Sequence, residues 1–394
     1  MQPTKLTRTP ARYNPLELKA KTIMGSFESS SPTNDNDEAV ATTAAAVLAD
    51  LDLSKIEKFA HRTGDALFGY IEECQVKFSP PTTTTMNACF GNFLDAGTGS
   101  HSLRWIASII HRERLLAKKA SNGASSSSSA SSAPLVSLKS FTAITADETM
   151  RRRVSEEANE LGIDSTNIII GNWNEGVKVT NNGDVEFISS NDDTTNVDNN
   201  NKTALLEGQL FDTILADYLV GAIDGFSPYY QDQIFHRLVH HLAPGGRMYI
   251  IGLQPIPDRV PGDANIFCKI TKIRDACILL ANHRCYREYP LDWIERHVTR
   301  AGMRVVESRT YPIRYTHETM LRQINVGRSK LKLFPSTSMA TEMGKVLDGL
   351  ERESLEMTKK QPDGRITLGY DYVVVAEKEN HPSSSLLAPS IDSP

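Results

Sequence analysis

The chain has 394 residues, enough for one large domain or two small ones, and its 40% hydrophobic and 23% charged content permits a substantial core. Its 43 Lys and Arg against 48 Asp and Glu give a net charge of -5, which argues against a general nucleic-acid binder, because such proteins carry a basic face. No apolar run of about 18 residues occurs, so no membrane-spanning helix is expected.

The first 24 residues carry Lys5, Arg8 and Arg12 and no acid before Glu17. They lack the apolar segment of a secretory signal, so they read as a disordered tail, with an organelle transit peptide as the alternative. Five cysteines (Cys74, Cys89, Cys268, Cys277, Cys285) are an odd number without a CxxC pair. They make neither a disulfide framework nor a zinc signature, and a cytoplasmic, reducing setting fits. We expect a tail over 1–48, one domain over 49–380 and a second tail over 381–394.

Apolar spacing predicts a helix over 53–76, with Gly64 a break. A strand over 90–95 and a helix over 103–117 follow. Residues 120–134 are a serine-rich insert. Next come a strand (140–145), a helix (148–161) and a short strand (167–170). Residues 177–188 read as a hairpin around Asn181-Asn182-Gly183, a turn suited to positive φ. An Asn/Asp-rich loop occupies 189–203. A strand (211–216) and a helix (231–242) lead to Pro244-Gly245-Gly246, expected to cap that helix. A strand (248–253), a helix (267–282), a helix (291–301) and a strand (303–308) continue the pattern. Residues 316–358 read as two helices, and 370–376 as the last strand. Alternating strands and helices predict an α/β fold, a doubly wound, mostly parallel seven-stranded sheet. Ligands on such sheets bind at the carboxyl ends of the strands, where the winding reverses.

The chemistry starts at Phe93-Leu94-Asp95-Ala96-Gly97-Thr98-Gly99-Ser100-His101-Ser102, an apolar strand entering an acid-x-Gly-x-Gly turn. A dinucleotide fingerprint would place its third glycine at Ser102, and Asp95 would repel the phosphates that a helix N-terminus attracts. The acid suits a cationic amino-acid group instead. His236 and His240 stand four apart on one helix, a spacing that can ligate metal, but no third ligand accompanies them and no metal is expected.

Five ordered motifs resemble those of class I S-adenosylmethionine-dependent methyltransferases over roughly residues 88–312 and the last strand. They are Leu94-Asp95-Ala96-Gly97-Thr98-Gly99; Ala143 to Met150; Gly171-Asn172-Trp173; Asp212 to Tyr218; and Leu242-Ala243-Pro244-Gly245-Gly246-Arg247-Met248-Tyr249-Ile250. The resemblance implies S-adenosylmethionine (SAM) as methyl donor and S-adenosylhomocysteine as product. It assigns Asp95, Gly97, Thr98, Gly99, His101, Asp147, Asn172, Trp173 and Asp217 to the cofactor. His101 departs from the family, which often has glycine there. Thr145 stands where the ribose-binding acid usually ends the second strand, so Asp147 is the expected ribose partner; its alternative role is a helix cap.

The resemblance also places Asp217 and Tyr218 where the methyl is transferred. In this fold, inserts after the fifth and sixth strands, here 254–289 and 315–358, cover the acceptor. Tyr229, Tyr230, Arg284, Tyr286, Arg287 and Arg314 are the expected acceptor-binding residues, and clustered arginines favour a carboxylate or other anion. His283 is the expected general base, since histidine titrates near neutrality; His317 is a second candidate. The expected activity is methylation of a small, anionic metabolite, with no nucleic-acid or membrane partner and the oligomeric state open. A protein or RNA methyltransferase, a non-catalytic SAM-fold subunit and an NAD-dependent enzyme are the rivals.

Overall fold

The computed structural model describes residues 65–79, 88–121, 136–180, 183–187 and 204–379. The expected tails, the loop 189–203, most of the serine insert, the Asn181-Asn182 turn and the start of the 53–76 helix lie outside the described residues.

The main sheet contains β1 (Asn92–Asp95), β2 (Ser140–Thr145), β3 (Ile168–Ile170), β4 (Phe211–Asp217), β5 (Leu242–Leu253), β6 (Met303–Thr316) and β7 (Arg365–Lys378). Their spatial order is β6-β7-β5-β4-β1-β2-β3. β1 pairs in parallel with both β2 and β4. β2–β3 and β4–β5 are also parallel. β7 runs antiparallel to both of its neighbours. The chain therefore winds outward from β1 to β3, then returns to β4 and winds the other way. The switch point lies between β1 and β4, where such sheets take their ligands.

Alternation along the strands builds a core on each face. Phe93, Phe141, Leu215, Tyr249 and Val373 face α1 (Ala66–Phe78), α2 (Ser100–Ser121) and α3 (Glu148–Glu160). There Trp105 of α2 stacks on Phe68 of α1, ring centroids 4.6 Å apart. Their neighbours Leu94, Ile144, Ile214, Ile250 and Val374 face α4 (Leu219–Phe226), α5 (Ile234–His240) and α7 (Leu291–Arg300). A third core, including Ile270, Cys277, Met320, Ile324 and Leu347, joins α6 (Asn265–Leu280), α8 (His317–Lys330) and α9 (Thr337–Lys360).

Several elements differ from expectation: α4 (Leu219–Phe226) was not expected, and β7 begins at Arg365 instead of 370. Pro244-Gly245-Gly246 does not cap the preceding helix, which ends at His240 with His241 in the right-handed region. Leu242 already pairs with Phe211, and the next partner pair is Thr213 with Arg247. The three residues thus bulge out of β5, with Gly245 at φ +71°. β6 is also longer than the expected 303–308, reaching Thr316 against β7. The alternation Tyr311, Ile313, Tyr315 carried that extension, and Pro312 is tolerated because β6 is an edge strand.

The bulge is tightly closed. A Cβ on Gly246 would lie 2.8 Å from the Ala243 carbonyl and 3.0 Å from that of Asp212, both backbone atoms that cannot swing aside. Gly246→Ala is therefore expected to destabilise the fold by about 1–3 kcal/mol, read as a lower midpoint in thermal denaturation. An unchanged midpoint would mean the bulge is plastic.

Candidate active site

The turn after β1 is pinned on three sides. Ala96 N–H donates to the Leu215 carbonyl of β4 and Thr98 N–H to the Ile144 carbonyl of β2, each at 2.8 Å. The Trp173 indole donates to the Ala96 carbonyl at 2.7 Å. Gly97 leaves room for Leu219 of α4, whose Cδ1 would lie 2.7 Å from an added Cβ. Gly99 faces open space, with nothing within 4 Å of an added Cβ.

Asp95 ends β1 with 0% exposure, and neither of its carboxylate oxygens has a hydrogen-bond partner among the described residues. Burial pushes its pKa up to about 7; the Ser102 and Thr98 hydroxyls nearby lower it without closing a hydrogen bond, and the Asp217 charge raises it. Asp217 ends β4, its side chain 6% exposed and its Oδ1 also without a partner. Its Oδ2 lies 3.4 Å from His101 Nδ1, and His101 Nε2 lies 2.6 Å from Asp65 Oδ2. Burial opposes a charge on His101, but the carboxylates of Asp217 and Asp65 outweigh it and raise its pKa to about 10. His101 therefore fixes Asp65, the N-cap of α1, across the mouth of the site.

Three buried acceptor oxygens without donors thus belong to two carboxylates whose charges are coupled. An alkylammonium carries three N–H donors and one positive charge. This acceptor set fits the amino group of an amino-acid-like ligand and fits a pyrophosphate badly.

The other expected cofactor residues divide. Asp147 caps α3, accepting from Met150 N–H at 2.8 Å, and stays exposed at the sheet edge. Asn172 follows β3 and donates to Glu175 at 3.4 Å. Trp173, expected either on the adenine face or in the core, is 4% exposed and packed in the core, and it meets the turn through its indole hydrogen bond.

Beside Tyr218 opens a cleft of about 1090 Å³, lined among others by Leu253, Arg274, Arg287, Glu288, Tyr315 and Asp371. Its floor is the exit of β4 and β5 and the middle of β7; its walls come from β6, α6, α8 and the segment 282–290. Tyr218 sits at φ +49°, in the left-handed region that a bulky residue seldom adopts. Its N–H donates to the Ile251 carbonyl at 3.0 Å and its hydroxyl to Asp371 Oδ1 at 2.8 Å. Burial and the Asp371 charge raise the phenol pKa, so Tyr218 is a donor and not a base. Burial likewise raises Asp371 to about 6, although the Tyr218 hydrogen bond lowers it.

The segment 282–290 lies as a strap along α4. Arg287 N–H donates to the Gly221 carbonyl at 3.2 Å. A Cβ on Gly221 would meet Glu288 Oε2 at 2.6 Å, and one on Gly225 would meet the Tyr286 ring at 3.0 Å. The two glycines, one helical turn apart, let the strap approach.

Of the expected acceptor residues, His283, Arg284, Tyr286 and Arg287 line the cleft. Arg284 is engaged with buried Asp224, Nη2 to Oδ2 at 3.2 Å, so its structural task is to hold the strap on α4. Tyr229 is 80% exposed beneath the Arg284 guanidinium, and Tyr230 is buried with its hydroxyl on the Trp173 carbonyl. Arg314 pairs with Asp363. These three do not line the cleft, which corrects their expected role. His283 Nδ1 stands 3.0 Å from Lys330 Nζ, and burial and that charge lower its pKa. A neutral ring accepting at Nδ1 holds its proton on Nε2, so His283 is placed to donate, not to act as the expected base. His317 bonds Ser354 instead of facing the cleft.

Sequence reading missed Asp65, Asp371 and Glu288. Asp371 was visible as an acid entering an apolar strand, and the strap's seat as the pair Gly221 and Gly225.

No protein-family model and no curated protein matches the sequence. Among solved structures, a candidate methyltransferase from Bacillus halodurans C-125 shares 14% identity over 73% of this chain and 92% of that one, with a TM-score of 0.38. The YcgJ protein of Bacillus subtilis shares 14% identity over 79% and 99%, at 0.37. A SAM-dependent methyltransferase from Geobacter sulfurreducens, solved with S-adenosyl-L-homocysteine, shares 12% identity over 82% and 97%, at 0.32. Likeness at this level leaves the fold assignment resting on this chain's own sheet order and motifs.

The Asp95 carboxyl predicts a pH-dependent stability effect. Its pKa is raised by folding, so the native state holds the proton that the unfolded chain releases above about pH 4. The cost of burial is absent below that pH and grows as pH rises to about 7. Asp95→Asn is expected to raise the melting temperature at pH 8 by several degrees and to change it little at pH 4.5. An equal effect at both values would show that Asp95 is not a buried, unpaired acid. The sheet order, the reversed last strand and the acid-Gly turn at the switch point together make this a doubly wound, Rossmann-like α/β fold.

Proposed function

We propose that the protein is a SAM-dependent methyltransferase acting on a small, anionic acceptor. The observation that carries this reading is the pair Asp95 and Asp217, with three buried oxygens lacking donors beside the open Gly97–Gly99 turn. Asp95 and Asp217 hold the amino group of the cofactor. The turn lies against its amino-acid part, Asn172 serves the adenine, and Asp147 turns its exposed carboxylate to the ribose. Bound there, SAM supplies a methyl group already activated by a sulfonium, so the protein's work is alignment and exclusion of water.

Tyr218 joins the two sides of the site, one residue beyond Asp217 and lining the cleft. The helical walls enclose an acceptor of metabolite size. The guanidinium of Arg287 makes no hydrogen bond or ion pair among the described residues, and it supplies the anion-binding group.

Calorimetric titration with SAM tests the reading. Asp95 keeps its proton up to about pH 7 in the free protein, and an ammonium ligand needs the ionised form. Affinity should therefore rise between pH 6 and 8, by up to about tenfold per unit, while His101 stays protonated throughout. Asp95→Asn should bind weakly and without that slope. Absence of binding at millimolar SAM, or preferential binding of NADH, would overturn the proposal. A labelled-methyl assay on a metabolite extract, with mass spectrometry of the product, then identifies the acceptor.

A further inference from the structure

The cleft divides its charge. Next to Tyr218, at the strand ends, stand two carboxylates, Asp371 and Glu288. Asp371 accepts the Tyr218 hydroxyl through Oδ1. Glu288 is half-buried against the first turn of α4, over Gly221, three residues after Tyr218, and forms no hydrogen bond or ion pair among the described residues. The cations lie on the helical side. Arg274 is held by Asp275 and Gln323, and Lys330 faces His283. Arg287, the residue before Glu288, carries a guanidinium with no hydrogen bond or ion pair among the described residues. Alongside, Asp217 keeps one buried oxygen without a donor at the β4 exit.

On the methyltransferase reading above, we propose that the acceptor atom is an amine nitrogen, drawn in by Asp371 and deprotonated by Glu288, on a molecule whose anionic end meets Arg287. The acceptor class is thus a zwitterionic, amino-acid-like compound. Paired carboxylates at the reacting end attract an ammonium and repel a carboxylate or phenolate, which sets the orientation. An ammonium cannot attack until it loses a proton. Glu288 takes that proton, the freed nitrogen lone pair forms the bond to the methyl carbon, and the carbon–sulfur bond breaks with its electrons left on sulfur. The product nitrogen carries one methyl and the positive charge, and Glu288 returns its proton to water.

The surroundings tune Glu288 for this task. Burial raises its pKa to about 7, Arg274 opposes that and Asp371 adds to it. Tyr315 from β6 and Tyr372 from β7 are the other titratable groups that face it, and both hold their protons. A carboxylate of that basicity is matched to an ammonium and far too weak for an alcohol.

The test uses the full chain, ω-amino carboxylates of increasing length and their hydroxy analogues. Calorimetry of the S-adenosylhomocysteine complex should show the amino compounds binding and the hydroxy analogues at least tenfold weaker. With SAM, only the amines should be methylated, with a rate rising through about pH 7. Glu288→Gln should lower kcat roughly a hundredfold or more and abolish that limb, with SAM affinity unchanged. Glu288→Asp should recover part of the rate. Arg287→Ala should raise KM for the amino acids roughly tenfold but not for alkylamines that lack the carboxylate. Methylation of the hydroxy analogues, or of no amine despite intact SAM binding, would overturn the proposal. Loss of SAM binding itself in the wild type would instead overturn the methyltransferase reading.

Discussion

An acid buried without a partner is the constraint around which this molecule is arranged. β1 is covered on both edges by parallel strands and on both faces by helices, so a carboxylate at its end is out of reach of water. Leaving a charge there unpaired costs several kcal/mol. Such a cost persists where a ligand removes it, and beside Asp95 the Asp217 carboxylate, paired with His101 through Oδ2, keeps Oδ1 without a donor among the described residues. The turn that follows is held open at Gly99 and fixed at Ala96 and Thr98 by carbonyls of both adjoining strands. On the proposed reading, rigidity of the turn and electrostatic need at its base serve one purpose, the seating of a cationic group.

From that seat the architecture extends to the acceptor side through one strained residue. Tyr218 occupies the left-handed region with a full side chain, which costs of order 1–3 kcal/mol, and is held there by the Ile251 carbonyl and Asp371. It lines the cleft one residue beyond Asp217. α4, which starts at the next residue, carries Gly221 and Gly225 toward the strap, and the strap carries Arg287 and Glu288 over the site. In the proposed function, donor and acceptor would meet at the two ends of the same strand–helix turn.

Much of this was legible in the sequence. The seven strands followed from apolar runs and alternation; Asp95, Gly97 and Gly99 stood out in a turn pattern with few physical meanings, and Asp217 only through the resemblance at the fourth strand. Residues whose role depends on long-range pairing were not legible. Pro244-Gly245-Gly246 has the chemistry of a helix cap, and only the register with β4 makes it a bulge. Trp173, Tyr230 and Arg284 have side chains suited to ligands, but the core and Asp224 engage them first. Asp371 lies 153 residues from Tyr218 in the chain, so their hydrogen bond left no local trace.

The most direct measurement is a crystal structure of the complex with S-adenosylhomocysteine. The account predicts its amino group within hydrogen-bonding distance of Asp95 and Asp217, with the sulfur turned toward Tyr218 and the cleft. A ligand bound elsewhere, or one that leaves both carboxylates without a donor, would contradict it.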